Sequence, residues 1–248
     1  RRPRRALALE AIMKTEEKLN MTMLCDFYEL TMGNGYFQAG FQDRMTYFDV
    51  FFRDVPDRGG FAICAGLDQL IDYILDLHFD EEDIEYLRSR NLFDPEFLAY
   101  LKDFRFTGDI WAIPEGTPIF PQEPVVTVRA PAIQAQLIET FTLLAINHQS
   151  LIATKANRIV RAAQGRTVLE FGSRRAQGTD GAITGARAAY IGGCAGTAPS
   201  PTSFSASPPG ARWPTPGSRC SAPSTRPSRP TASSIHTTQR CWWTPTTP

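Results

Sequence analysis

Apolar residues recur every three or four positions in much of the first half of the chain, which is the spacing of helices that bury one face. The predicted helices are Met23–Phe37, Leu67–Leu77, Glu81–Arg90 and a segment that begins at Pro95. The first of them is expected to end near Gly40, and Asp80 is placed to cap the third. Proline at the first helical position is typical of a helix start.

Other segments have the β-branched and aromatic composition of strands. They are Arg44–Arg53, Asp109–Pro114 and Pro124–Arg129. The longest periodic signal follows directly, because apolar residues keep a helical spacing from Pro131 to Gln164 and Gly165 is placed to stop the helix. The pattern therefore predicts a mixed α/β domain over residues 13–130 and a long linking helix after it.

A second unit is expected to begin after Gly165. Arg166–Phe171 reads as a short strand, a glycine-flanked loop follows, and a helix is predicted over Ala182–Tyr190. The small residues of Gly192–Thr197 then open the next strand or loop. Strand, loop, helix and turn in this order are typical of a βα repeat, so residues 131–198 are predicted to contain the start of an incomplete, TIM-like α/β barrel.

Composition excludes several classes of protein. Of 248 residues, 42% are hydrophobic and 21% charged, as in globular domains, and no apolar run approaches the ~18 residues of a membrane span. The five cysteines form no CxxC pair, which argues against a zinc finger or a disulfide scaffold and favours a reducing, cytoplasmic location.

The last 50 residues differ from the rest. Residues 199–248 contain 11 Pro, 10 Ser and 9 Thr, with five Arg but no Asp, Glu, Leu or Val. Since five of the 26 basic residues lie in this segment, residues 1–198 have 21 basic and 26 acidic residues. This excess of acidic residues argues against a surface that binds nucleic acid. The segment has too little aliphatic surface to build a core, so we expect it to form neither helix nor strand.

The genetic code offers an explanation for this segment. When the third base of each codon is joined to the first two of the next, Cys241-Trp242-Trp243-Thr244 must encode Leu-Val-Asp. The same offset permits GTVAHSWV around residues 212–218 and LLVDTYDT near the end. We therefore expect 199–248 to be translated out of frame. A genuine Pro/Ser/Thr-rich interaction tail is the alternative.

Residues 1–12 form a second unusual segment. Met13 and the residues after it read as a natural start, so 1–12 are expected to be upstream sequence read through, or else a short disordered basic arm.

Candidate chemistry concentrates in the loop after Phe171. Arg174 and Arg175 follow the carboxyl end of the predicted strand, where α/β proteins bind ligands, and guanidinium groups suit a carboxylate or a phosphate. The Gly192–Thr197 segment would let backbone N–H groups approach the same anion. Tyr28 could stack on a flat ring. A solvated basic loop, small-residue packing and a core tyrosine are the structural alternatives.

Two stretches carry a specific resemblance. DFYELTMGNGYF at 26–37 and EFGSRRAQGTDGAITGARAAYIGGCAGT at 170–197 resemble the nicotinate phosphoribosyltransferase family, over nearly all of 13–198. The offset-frame strings resemble the next two motifs of that family. The resemblance implies a mixed α/β N-terminal domain and a barrel of the type II phosphoribosyltransferase kind.

The resemblance also implies an activity. The family joins nicotinate to phosphoribosyl pyrophosphate, giving nicotinate mononucleotide for NAD salvage, with ATP hydrolysis and Mg²⁺ on the phosphates. Tyr28 would contact the nicotinate ring from the neighbouring subunit of a homodimer. Arg174 would contact nicotinate and pyrophosphate beside Arg175, with Thr197 completing the substrate-binding residues. The family's phosphorylated histidine lies in the motif that this chain lacks in frame, so no catalytic residue is assigned and the chain as written is expected to be inactive.

Other functions stay open on the sequence. A nicotinamide- or quinolinate-type phosphoribosyltransferase would share the fold and the arginine loop. A non-catalytic ligand-binding fragment is the alternative of a different class.

Overall fold

The computed structural model of the chain describes residues 20–55 and 59–195 and the backbone of 240–243. Groups of helices and groups of strands follow one another along it, which confirms a mixed α/β fold. The helices are α1 (Phe27–Gln38), α2 (Leu67–Asp76), α3 (Glu81–Ser89), α4 (Pro95–Lys102), α5 (Ala132–Leu137), α6 (Glu139–Ala162) and α7 (Thr179–Ile191). The strands are β1 (Met45–Val50), β2 (Ala62–Ile63), β3 (Asp109–Ala112), β4 (Pro118–Ile119), β5 (Val126–Pro131) and β6 (Arg240–Trp243).

The main sheet has the order β3-β5-β1-β6. β5 pairs antiparallel with β1, from Met45 opposite Pro131 to Val50 opposite Val126, and antiparallel with β3 on its other side. Alternate residues of β5 are buried, as expected for a strand with one face on the core. The three strands predicted from the sequence are confirmed. The first two are shorter than predicted, and the third is shifted by two residues, to Val126–Pro131.

The main hydrophobic core lies between this sheet and the helices α1 to α5. Aromatic rings dominate its helical side, where Phe97 contacts Phe37 and Tyr100, and Tyr100 contacts Phe104. Phe97 is completely buried. Burial of rings of this size supplies most of the free energy that holds helices onto a sheet.

Two helix starts confirm what their sequences predict. The Asp80 side chain accepts a hydrogen bond from the Asp83 backbone N–H at 2.8 Å, and the Asp83 side chain accepts one from the Asp80 N–H, which completes a capping box. Asp94 caps α4 by accepting from the Glu96 N–H, with Pro95 at the first helical position.

The prediction of one continuous helix over Pro131–Gln164 is wrong, because this segment forms two helices, α5 and α6. Pro131 ends β5, and the chain turns at Ile138, whose φ of −102° and ψ of 2° separate α5 from α6. All six residues of α5 are buried, whereas α6 is amphipathic. A turn between them lets the second helix leave the core in a new direction.

The strand predicted over Arg166–Phe171 is also wrong. This segment is irregular, with a single bridge residue at Leu169, and Leu169 and Phe171 are 52% and 69% exposed. A barrel strand is stable only between neighbouring strands, and no neighbouring barrel strand lies within the described part of the chain. The helix after it also begins earlier than predicted, at Thr179 instead of Ala182.

The C-terminal segment gives a third correction. Arg240–Trp243 is a strand that pairs parallel with β1, with Tyr47 opposite Arg240. It belongs to a stretch without proline, and it covers the edge of β1 that β5 leaves open. The expectation that 199–248 forms no strand is therefore wrong for these four residues.

Several predictions concern residues outside the described ranges, namely the leader 1–12, residues 199–239 and 244–248, and Thr197. Across the residues that are described, no helix combines the length and the apolar character that spanning a membrane would require.

Candidate functional site

The two predicted arginines lie in an exposed turn that leads into α7. Gly172–Arg175 forms one 3₁₀ turn, and the chain reaches α7 through Gly178, whose φ of +92° favours glycine. Arg174 and Arg175 are both exposed, and within the described ranges no carboxylate pairs with either. Two forked donors side by side in solvent can bind an anion with two acceptor oxygens.

α7 packs against α6 through small residues. A side chain at Gly192 would come within 2.4 Å of the Ala153 carbonyl and 2.7 Å of the Ala156 methyl, so the two helices are in close contact. Gly185 adjoins Ile152, and Gly193 adjoins Val160. Because later residues of α7 contact later residues of α6, the two helices run in the same direction.

An arginine that sequence reasoning missed lies on the buried face of α7. Arg187 is only 6% exposed. Its Nη1 donates to Glu115 Oε1 at 2.9 Å and its Nη2 to Glu115 Oε2 at 2.7 Å, a bidentate pair. Nη1 also donates to Gln149 of α6 at 3.2 Å, and Asp68 of α2 is 3.4 Å from Nη2. The guanidinium group thus binds three other elements.

Glu115 also binds the start of α2. Its Oε1 accepts from the backbone N–H groups of Gly66 at 2.7 Å and Leu67 at 3.0 Å. Burial alone would raise the pKa of Glu115, but the hydrogen bonds and charge of Arg187 and the two N–H groups outweigh it and lower that pKa. We call Gly66, Leu67, Glu115, Gln149 and Arg187 the Glu115 cluster.

Tyr28 lies in the first turn of α1, where its ring is 43% exposed. Partial burial, together with the negative charge of Glu139 at the start of α6, raises the pKa of Tyr28.

The residue after Tyr28 is fully buried. Glu29 Oε1 accepts hydrogen bonds from the backbone N–H of Thr140 at 3.0 Å and from the Thr140 hydroxyl. Burial raises the pKa of Glu29 to about 7, and the Thr140 bonds oppose that rise only in part. At neutral pH this carboxyl is therefore about half protonated.

The structure brings some of the predicted residues together and separates others. Arg174 and Arg175 share one turn, while Tyr28 lies on α1, near the start of α6. Thr197 lies outside the described residues. Glu115 and Arg187 were not predicted, although an arginine between alanines in an otherwise small and apolar helix is a signal of a buried ion pair.

Comparison with known families gives one match over half of the chain. Residues 23–147 match the model of the nicotinate phosphoribosyltransferase (NAPRTase) N-terminal domain. The match contains α1, the strands β1, β3 and β5 of the main sheet and the start of α6, and it ends before the arginine turn.

Curated relatives extend the similarity beyond that domain. Nicotinate phosphoribosyltransferase pncB2 of Mycobacterium tuberculosis is 47% identical over 175 residues, which are 71% of this chain and 38% of that protein. The nicotinate phosphoribosyltransferase of Bacillus subtilis is 39% identical, over 72% of this chain and 36% of that protein. The chain thus spans little more than a third of the length of these relatives.

Solved structures agree with the fold. Human nicotinic acid phosphoribosyltransferase superposes with a TM-score of 0.65 at 35% identity, over 69% of this chain and 35% of that one. Nicotinate-nucleotide pyrophosphorylase from Pyrococcus furiosus superposes with a TM-score of 0.57 at 23% identity, over 73% of this chain and 39% of that one. The second similarity concerns the fold alone.

Proposed function

Since the chain belongs to the nicotinate phosphoribosyltransferase family, we propose that it carries the N-terminal domain and the first ligand-binding loop of an enzyme that joins nicotinate to phosphoribosyl pyrophosphate. The products are nicotinate mononucleotide and pyrophosphate, a step of NAD salvage. The observation that carries this proposal is the exposed pair Arg174 and Arg175, in a turn that follows the family-matched N-terminal domain.

The arginines have a defined task in this reaction. Both nicotinate and pyrophosphate carry planar or forked anionic oxygens, which guanidinium groups bind with two parallel hydrogen bonds. Arg174 binds the nicotinate carboxylate and pyrophosphate, Arg175 supports it, and Thr197 completes the anion site. As the bond from ribose to pyrophosphate breaks, fixed positive charge stabilises the leaving group.

Tyr28 supplies a face for the pyridine ring. Its exposed ring suits stacking on a flat ligand. We propose that it acts across the interface of a homodimer, on the nicotinate of the neighbouring subunit.

Two further components belong to the proposed reaction, ATP hydrolysis that drives it and Mg²⁺ on the substrate phosphates, the ligands that Mg²⁺ prefers. Among the described residues no three metal-ligating side chains lie together as a metal site, so the proposed Mg²⁺ is held mainly by the substrate phosphates. The location proposed for the enzyme is the cytoplasm.

The tail bears on the activity of this chain. We propose that residues 199–248 are translated out of frame, because the offset frame contains text that resembles the family's next motifs. The chain as written then lacks the histidine motif and is inactive in synthesis, while its arginine turn still binds anions.

Titration calorimetry with nicotinate tests the proposal. Replacing Arg174 by alanine removes charged hydrogen bonds to the carboxylate, so the Kd for nicotinate is expected to rise about 10–100-fold. Arg166→Ala removes an equally exposed arginine eight residues earlier and should leave the Kd unchanged.

Nicotinamide serves as the matched ligand, because it has the same ring without the carboxylate. It should bind more weakly, and Arg174→Ala should not alter its affinity. Equal nicotinate affinity in Arg174→Ala and the original chain would contradict the assignment of Arg174.

A further inference from the structure

One edge of the main sheet is open. β3 is the outermost strand of the order β3-β5-β1-β6, and no strand lies on its outer side in the part of the chain that the structure describes. The Ile113 N–H donates to the Val125 carbonyl at 2.9 Å, and in an antiparallel pair every second residue bonds to the same neighbour. Ile110 and Ala112 occupy the alternate positions, so their N–H and C=O groups point away from β5, toward the open side.

The side chains of the same two residues line an apolar groove. Ile110 and Ala112 of β3 and five apolar residues of α2 surround a volume of about 280 Å³. Two of the α2 residues, Ile71 and Leu75, are 48% and 82% exposed, and Leu75 is more exposed than any other large apolar side chain that the structure describes. A continuous apolar row of this kind is typical of a contact surface.

The edge and the groove together favour an extended segment as the partner. A strand added to β3 would pair with the N–H and C=O groups of Ile110 and Ala112, and every second side chain of it would enter the groove. A helix over the same groove would cover those backbone groups without pairing them, which is unfavourable. All of the residues that line the groove are apolar, so it does not suit a phosphate or a carboxylate ligand.

A second copy of this chain is a poor partner for the groove. An acidic row, Asp68, Asp72 and Asp76, borders the apolar row of α2, since each aspartate follows a residue of the groove by one position. Two copies that met through this surface about a two-fold axis would bring their acidic rows together, and the like charges would oppose the contact.

We infer that a strand from the region that follows codon 198 in the offset frame pairs with β3 and places its alternate apolar side chains in the groove beside α2. More than half of the length of each relative lies outside the matched region, so there is enough chain to supply this strand. The inference rests on the proposed function in one respect, because it takes this chain to be part of a longer enzyme. It does not depend on the assignment of a nicotinate site.

Thiol labelling at the groove tests the inference. Leu75→Cys places a thiol in the exposed row, and Leu92→Cys, in the connection between α3 and α4, is the control because Leu92 is 61% exposed. In the 248-residue chain the two thiols should react with N-ethylmaleimide at rates within about threefold of each other, as measured by peptide mass spectrometry.

The same two variants are then made in the protein whose offset frame is restored together with the downstream region. Leu75→Cys should react at least about tenfold more slowly there than in the 248-residue chain, because the added strand must first open. Leu92→Cys should keep its rate.

Amide hydrogen exchange, resolved by NMR, distinguishes a strand from another covering element. In the 248-residue chain the N–H groups of Ile110 and Ala112 should exchange at least about tenfold faster than that of Trp111, which points toward β5. In the restored protein all three should exchange slowly, because the new strand accepts the outward N–H groups.

Three outcomes would overturn the inference. The first is equal reactivity of Leu75→Cys in the two proteins, and the second is slow labelling or slow outward amides in the 248-residue chain, which would show that the edge is already covered. The third is a protected Leu75→Cys thiol with fast exchange at Ile110 and Ala112, which would assign the groove to a helix or a loop. The measurements on the 248-residue chain apply even if the restored protein does not fold.

Synthesis of nicotinate mononucleotide separates this inference from the proposed function. A restored protein that forms the product while its Leu75→Cys thiol stays reactive counts against the strand only. A restored protein in which that thiol is protected and no product forms counts against the proposed function only.

Discussion

Glu29 is unusual among the acidic residues described, because it is completely buried and only one of its two oxygens is bonded. Thr140 satisfies Oε1, while Oε2 is buried without a hydrogen-bond partner among the described residues. The thiol of Cys25 and the carboxylates of Asp26 and Glu139 lie close by, and burial, together with the Glu29 charge, raises the pKa of Cys25 to about 12. Such surroundings favour the protonated form of Glu29.

This gives a prediction for the stability of the chain between pH 5 and 8. The pKa of Glu29 is about 7 in the folded chain, whereas its ordinary value of 4.5 applies to the unfolded chain. As the pH rises, the unfolded chain therefore releases this proton first. The contribution of Glu29 to stability is therefore greatest below pH 4.5, falls between 4.5 and 7, and is lost above 7.

Glu29→Gln keeps an oxygen for Thr140 and cannot ionise. The loss of stability from pH 5 to pH 8, measured by urea unfolding, should be smaller in this variant by about 2 kcal/mol. Glu85→Gln replaces an exposed glutamate of α3 and should follow the original profile. Parallel profiles for the original chain and Glu29→Gln would show that Glu29 ionises normally in the fold.

At the scale of elements, the Glu115 cluster joins parts that are far apart in the sequence. The turn between β3 and β4 supplies Glu115, α7 supplies Arg187, α6 supplies Gln149, and the start of α2 supplies two N–H groups. Gly66 permits this packing, because a Cβ there would lie 2.2 Å from the Ala145 carbonyl. The buried pair of Arg187 and Glu115 thus joins α7 to the N-terminal domain, beside the packing of Ala188 with Ile63 and Ala65.

Breaking that pair should be costly. Glu115→Ala leaves the Arg187 charge buried with its main partner gone and frees the N–H groups of α2, so the free energy of unfolding should fall by about 3–5 kcal/mol. Glu85→Ala breaks a surface pair, in which the side chains of Arg88 and Glu85 are 59% and 69% exposed. This variant should change the free energy of unfolding by less than about 1 kcal/mol. Urea unfolding of both variants measures the contrast. A similar small change in both would mean that water replaces Glu115 in the cluster.

The elements that the sequence predicted well are those whose signals are local. The capping residue Asp80 and the proline that starts α4 depend on neighbours a few residues away. β2 and β4 were missed, because each has two residues and exists only through pairing with the other. The predicted strand 166–171 failed for the same reason, since its composition is that of a strand but its partners are absent from the described residues.

The same distinction applies to the candidate site. Arg174 and Arg175 were predictable because adjacent arginines between glycines stand out in the sequence. Glu115 and Arg187 are 72 residues apart, and nothing local pairs them. Glu29 looks in the sequence like an ordinary acidic residue near a helix start, and only its hydrogen bonds with Thr140 of α6 distinguish it.

At the scale of the whole molecule, the matched part of the chain covers little more than a third of the length of its relatives. More than half of the length of each relative lies outside the matched region. The one described element from the last 50 residues, β6, extends the sheet of the N-terminal domain and adds nothing to α6 and α7.

We therefore expect this chain to form no nicotinate mononucleotide from nicotinate and phosphoribosyl pyrophosphate. A protein in which the offset frame is restored at codon 198, together with the downstream region, should form it, as measured by chromatography of the reaction mixture. The nucleotide sequence around that codon is the control for the reading frame. Synthesis by the 248-residue chain itself would contradict both the frame argument and the expected inactivity.

The geometry of α6 determines where the chain can accept an inserted residue. Over 24 residues this helix presents Thr140 to α1, Gln149 to Arg187, and Ala153 and Ala156 to α7. One extra residue near its middle would rotate everything after it by about 100° and shift it by about 1.5 Å, so the two halves could no longer meet their partners at once. Insertions and deletions should therefore be rare in α6 across the family, and they should accumulate in surface connections such as the one between α3 and α4.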